Sequence, residues 1–144
     1  MRFWDSSAIV PLLVQEPMSE TVGMWLIDDG EVALWGLTRV ELVSAVERRS
    51  REGHLSRDAR RLALSKSERF VASASEVSDL VVVRKAALSL LARHPLRAAD
   101  ALQLAAALLV ADGEPATLGF VTFDARLADA ADREGLVVWT SPGA

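Results

Sequence analysis

The sequence contains no cysteine. That excludes a disulfide framework, a thiolate metal site and a thiol nucleophile, and it fits a reducing, cytoplasmic setting. Histidine occurs only twice, at His54 and His94. His54 follows Gly53 in a predicted loop, and His94 precedes Pro95 at a predicted helix end. Both read as solvated ends and not as a catalytic base. Long hydrophobic runs are also missing. Even Leu104 to Ala111 is far too short to span a bilayer, so no membrane partner is expected. An acid arrives as early as Asp5, which argues against a signal peptide. No internal repeat, low-complexity segment or linker interrupts the chain, so residues 1–144 are expected to form a single domain.

What is present is a composition able to build a core, 51% hydrophobic and 25% charged over 144 residues. The net charge of −4 gives little attraction for nucleic acid as a sum. Its distribution is uneven. Between Arg48 and Arg69 lie eight basic side chains (Arg48, Arg49, Arg51, Arg57, Arg60, Arg61, Lys66 and Arg69) against three acidic ones, Glu52, Asp58 and Glu68. One basic tract therefore sits on an acidic body. It reads either as a solvated helix face or as a surface for phosphate backbone.

Strand and helix signals alternate. Arg2 to Trp4 is a strand candidate, followed by a helix from Ser6 or Ser7 to Val14 with Pro11 in its early turns. Ser19 to Ile27 reads as an amphipathic helix and Glu31 to Trp35 as an apolar strand. Thr38, with Glu41 three residues on, matches a capping box for a helix running to Gly53. Ser56 opens another helix, whose stripe is Ala59, Leu62, Ala63 and Phe70. Asp79 to Val83 is expected to be a short strand or extended link, Arg84 to His94 a helix, and the segment through Ala111 a buried helix. Thr117 to Phe123, Ala125 to Glu134 and Leu136 to Trp139 complete the series as strand, helix and strand. Trp4, Trp25, Trp35 and Trp139 fall where core packing is favoured over base stacking. Apolar strands alternating with helices predict an α/β fold with a parallel sheet covered on both faces.

Four acids stand at junctions of these elements. Asp5 and Asp124 each follow a strand, and in open parallel sheets the functional crevice lies beyond the carboxyl ends of the strands. Glu41 is in the first turn of its helix. Asp100 lies in Ala98-Ala99-Asp100-Ala101-Leu102-Gln103-Leu104, a segment otherwise apolar but for one glutamine. Each acid has a plain reading as a helix cap, and Asp100 fits that reading least well. Brought together, four carboxylates would repel one another and need compensation. A divalent cation supplies it, and an oxygen-only donor set favours Mg²⁺ or Mn²⁺. Such a site suits phosphodiester cleavage. Two other readings stay open at this point. One is a phosphatase with a phosphorylated aspartate, disfavoured because Ser6-Ser7 follows Asp5 where a second acid would be expected. The other is an RNA- or protein-binding module whose acids are structural.

The segments Asp5-Ser6-Ser7-Ala8-Ile9-Val10, Leu37-Thr38-Arg39-Val40-Glu41, Leu96 to Ala105 and Val121-Thr122-Phe123-Asp124 resemble the PIN domains, in order and spacing most like the VapC-type toxins of toxin–antitoxin pairs. The resemblance covers essentially the whole chain. It implies a three-layer α/β/α sandwich with a central parallel sheet, and an endoribonuclease dependent on Mg²⁺ or Mn²⁺. It implies that Asp5 and Asp100 bind metal directly, that Glu41 and Asp124 complete the cluster directly or through water, and that Ser7 and Thr122 hydrogen-bond those carboxylates. It further implies a homodimer held inactive by a cognate antitoxin. Arg48, Arg49, Arg51 and Arg97 are candidate RNA contacts, Arg97 because it lies one turn before Asp100.

Overall fold

A computed structural model describes residues 1–141. Its strands are β1 (Arg2–Trp4), β2 (Val32–Trp35), β3 (Ser75–Val77), β4 (Gly119–Val121) and β5 (Val137–Trp139). Its helices are α1 (Ser6–Leu13), α2 (Ser19–Asp28), α3 (Thr38–Arg51), α4 (Arg57–Ser73), α5 (Leu80–Arg93), α6 (Ala98–Ala111) and α7 (Ala125–Arg133). The strands form one parallel sheet in the order β3-β2-β1-β4-β5.

Alternation along the strands divides the core into two layers. Phe3, Ala33, Trp35 and Phe120 point to the face covered by α5, α6 and α7. Trp4, Val32, Leu34 and Val121 point to the face covered by α1, α2, α3 and α4. The three-layer α/β/α sandwich follows. Its handedness has a simple cause. Right-handed crossovers that step one way along the sheet place their helices on one face, and those that step back place them on the other. The chain moves from β1 outward to β2 and β3, then returns to the far side of β1 for β4 and β5. The reversal falls between β1 and β4, so their carboxyl ends open a crevice at the point where the two halves diverge.

Several local expectations are corrected. Asp79 to Val83 is neither strand nor link: Asp79 accepts a hydrogen bond from Val82 N at 3.2 Å and caps α5, which starts at Leu80. A cap combined with burial of Val83 overrides the strand preference of three consecutive valines. The strand of that region is Ser75–Val77, polar because it lies at the edge of the sheet. Thr117 to Phe123 is a strand only over Gly119–Val121, preceded by a 3-10 turn at Pro115–Thr117. Pro11 stands in the second turn of α1. The side chain of His94 is largely covered, its Nε2 lying 2.7 Å from Glu134 Oε2 and tying the end of α5 to the end of α7. Trp4 and Trp35 are core residues, while Trp25 and Trp139 pack edge to face at 5.6 Å. Among the described residues no helix is long and apolar enough to cross a membrane.

Candidate active site

Asp5 directly follows β1. Its N–H donates to Val121 O at 2.9 Å, so the backbone is still laddered to β4 when the side chain turns into the crevice. Its Oδ2 accepts from Ser7 N at 3.3 Å, from Ser7 Oγ, and from Thr122 Oγ1 at 2.9 Å. Each hydroxyl has one proton and gives it to this oxygen. Each then accepts from a backbone N–H, Ser7 from Phe123 at 2.9 Å and Thr122 from Asp124 at 3.1 Å. The polar capacity around Oδ2 is fully used, whereas Oδ1 takes no hydrogen bond among the described residues. Burial raises the pKa of Asp5, opposed by the Ser7 and Thr122 donors.

Glu41 hangs from the first turn of α3. The expected capping box does not form: Leu37 is the N-cap, without a side-chain bond, and Thr38 is the first helical residue, fully buried. Glu41 is drawn instead across the crevice. Its Oε2 accepts from Ser6 Oγ at 2.8 Å and its Oε1 from Gln103 Nε2 at 3.0 Å. The same Gln103 nitrogen donates to Thr38 Oγ1 at 2.9 Å, so α6 and α3 are stitched by one amide. Burial raises the Glu41 pKa, and the Ser6 and Gln103 donors oppose it. Gln103 was not singled out from the sequence. The available signal was its isolation as the one glutamine in an apolar helix, one turn beyond Asp100.

Asp100 lies in the first turn of α6 and has no hydrogen-bond partner among the described residues. Burial, then Asp124, Asp5 and Glu41, push its pKa up to about 6, against the pull of Arg97. All three other acids thus act on Asp100 electrostatically. Asp124 caps α7, its Oδ1 accepting from Leu127 N at 2.8 Å, which leaves Oδ2 free. Asp124 therefore meets the cap reading with one oxygen to spare, and so does Asp5, which caps α1 through Ser7 N. Glu41, Asp100 and Asp124 line a shared groove, while Asp5 is buried, and the carboxylates do not close on one point. Among the described residues no three acidic or histidine side chains stand close enough together to hold an ion as placed. The donor chemistry fits a hard divalent cation nonetheless: Asp5 Oδ1, Asp124 Oδ2 and both Asp100 oxygens are oxygens with no other partner.

The groove has a volume of about 620 Å³ and is lined by Ser6, Ser7, Glu41, Asp100 and Asp124 with residues of α3. Of the candidate RNA contacts, Arg48, Arg49 and Arg97 line it. Arg51, at the end of α3, is exposed and does not. Arg49 is held by Glu16 Oε1 at 2.8 Å, which ties it into the protein surface.

A PIN domain profile matches residues 2–133. The chain belongs to the PIN domain family. PIN domains are generally nucleases, and PIN nucleases generally use divalent metals. Solved structures agree on the fold of this PIN domain. FitAcB from Neisseria gonorrhoeae superposes with a TM-score of 0.67 at 20% identity over 96% of each chain. PAE2754 from Pyrobaculum aerophilum gives 0.62 at 21% identity, over 95% of this chain and 82% of that one. A structure of FitAB bound to an IR36 DNA fragment gives 0.66 at 19% identity, over 97% and 94%. No curated protein matches the sequence.

Proposed function

We propose that this PIN domain is a divalent-metal-dependent endoribonuclease and the toxin of a toxin–antitoxin pair. The observation that carries the reading is the division of labour on Asp5. One carboxylate oxygen is saturated by Ser7 and Thr122 while the other is left unbonded, and its charge is felt by an unpartnered Asp100. Asp5 and Asp100 would hold Mg²⁺ or Mn²⁺ directly, with Glu41 and Asp124 completing the set directly or through water. An ion held there would supply an activated water and offset charge on the phosphate. The chain's own residues do the rest. Ser7 and Thr122 fix the Asp5 carboxylate so that only one oxygen is presented. Ser6 and Gln103 hold Glu41 by donors that favour its ionised form. Arg48 and Arg97 bring positive charge to the groove for the RNA backbone.

Two surfaces support the partners. Leu12, Leu13, Leu55 and Leu62 line a second groove between α1 and α4, suited to an apolar segment of an antitoxin. On α5, Val81, Val82, Leu88 and Leu91 are exposed, which supports a second copy of the chain as partner. A cytoplasmic location follows from the same reading.

The test is incubation of purified protein with total RNA and Mn²⁺, followed by sequencing of the new RNA ends. Cleavage at internal positions that disappears with chelator is expected. Absence of cleavage, or cleavage indifferent to chelator, contradicts the reading. Thr122→Val probes the support of Asp5. It preserves shape but removes the donor to Asp5 and leaves Asp124 N–H without its acceptor. A loss of ~1–3 kcal/mol in unfolding free energy is expected, with RNA cleavage reduced about 10- to 100-fold.

A further inference from the structure

Building on the nuclease reading, the geometry points to a second phosphate-binding subsite, formed by Arg97 and Arg126 on the α7 side of the acids. The acids do not end a pocket. Asp100 and Asp124 line two cavities. The first, described above, runs between α1, α3 and the start of α6. The second, of about 290 Å³, is lined by Arg97, Asp100, Asp124, Ala125 and Arg126. Arg97, Asp100 and Asp124 belong to both, so the two spaces meet at the carboxylates.

The arginines of this second space are free. Among the described residues five arginines stand in ion pairs: Arg2 with Asp28, Arg49 with Glu16, Arg60 with Glu47, Arg93 with Glu134 and Arg133 with Asp129. Arg97 and Arg126 make no ion pair among the described residues, although Asp100 and Asp124 share their cavity. Arg126 is also placed against its helix. It stands in the first turn of α7, where a cation meets the positive end of the helix dipole. An unpaired arginine at that position, facing a groove with acids, is stabilised when a polyanion enters. Two guanidiniums lining one small cavity suit the phosphates of a flexible single strand, which they would contact without reading its bases.

The consequence is directional. With Arg48 in the first cavity and Arg126 in the second, charge for the RNA backbone stands on both sides of the acids. A strand bound by both crosses the acids at an internal linkage, so the cut falls within the chain and not at its end.

The experiment measures binding of a fluorescein-labelled, mixed-sequence 12-nucleotide RNA by anisotropy across a salt series, without divalent metal. Wild type is compared with Arg126→Gln, Arg97→Gln and Arg133→Gln, the last an exposed arginine paired with Asp129. Arg126→Gln and Arg97→Gln are each expected to weaken binding roughly tenfold and to flatten the salt dependence by roughly 0.7 in log–log slope, one phosphate contact each. Arg133→Gln is expected to bind as wild type does. Unchanged affinity and slope in Arg126→Gln, with the wild type binding normally, overturns the subsite and leaves the nuclease reading standing. A wild type that binds no RNA overturns both.

Discussion

Asp100→Asn is expected to cut RNA cleavage about a thousandfold and, in the same protein, to raise thermal stability at pH 8 in the absence of metal. The two effects have one cause. Asp100 is half-buried, lacks any hydrogen-bond donor, and feels three other carboxylates. Folding therefore favours its protonated form, and the pKa moves from an ordinary value of 3.8 up to about 6. A group raised in this way stabilises the fold fully below its unfolded pKa and loses that contribution as pH rises through about 6. At pH 8 the metal-free protein carries the whole penalty, and asparagine removes it. Because Asp100 is partly solvated, the gain is about 1 kcal/mol, or about 3 °C for a chain of this size. It should vanish near pH 4. Cleavage moves the other way. If Asp100 is the direct ligand proposed above, its loss forfeits roughly 4 kcal/mol of charge stabilisation in the transition state, about a thousandfold in rate. A wild-type protein more stable than Asp100→Asn at pH 8 without metal would mean that Asp100 has a protein partner and that the acids do not share a charge problem.

At Asp5 the expected outcome depends on which residue replaces the acid. Asp5→Asn keeps one oxygen, which can take the place of Oδ2 and receive the Ser7 and Thr122 donors, while its amide nitrogen turns toward the groove. The fold should be retained within about 1 kcal/mol, and cleavage should fall roughly a thousandfold because the presented atom is now a donor. Asp5→Ala removes both oxygens and strands the Ser7 and Thr122 protons in a buried place. It should unfold more easily by ~2–4 kcal/mol, more than one unpaired buried group costs. Chemical denaturation of the two variants side by side separates the support of Asp5 from its reactivity. Equal stability of the two would show that the hydroxyl pair does not depend on this carboxylate.

The sheet, the helices that bury their apolar faces and the four acids were legible because each leaves a local mark. Strands that run Phe3-Trp4, Val32-Ala33-Leu34-Trp35 and Phe120-Val121 are apolar on both sides because helices cover both sides. The acids are conspicuous because each stands at the end of such a run or within an apolar helix. What was not legible depends on tertiary partners. β3 is polar because an edge strand has one neighbour, and its sequence Ser75-Glu76-Val77 carries no strand signal. The valines Val81 to Val83 look extended until Asp79 caps the helix. Thr38 and Glu41 match a capping box in sequence, but Gln103, sixty-two residues beyond Glu41, recruits both. His94 reads as solvated because its partner Glu134 lies forty residues away. Arg126 drew no attention as a single arginine. Its position gains meaning only once α7 is seen beside α6, with Arg97 across the cavity.

The four acids are expected to share a divalent cation. The most direct test is thermal unfolding at pH 8 during titration with Mn²⁺ or Mg²⁺, for wild type, Asp5→Asn and Asp100→Asn. Specific binding stabilises by ~2.7 kcal/mol when the ion exceeds its dissociation constant about a hundredfold. The account predicts a saturable rise in Tm for wild type that both variants lack, so that the metal reverses the stability order of wild type and Asp100→Asn. Titration curves that coincide in all three proteins would contradict it.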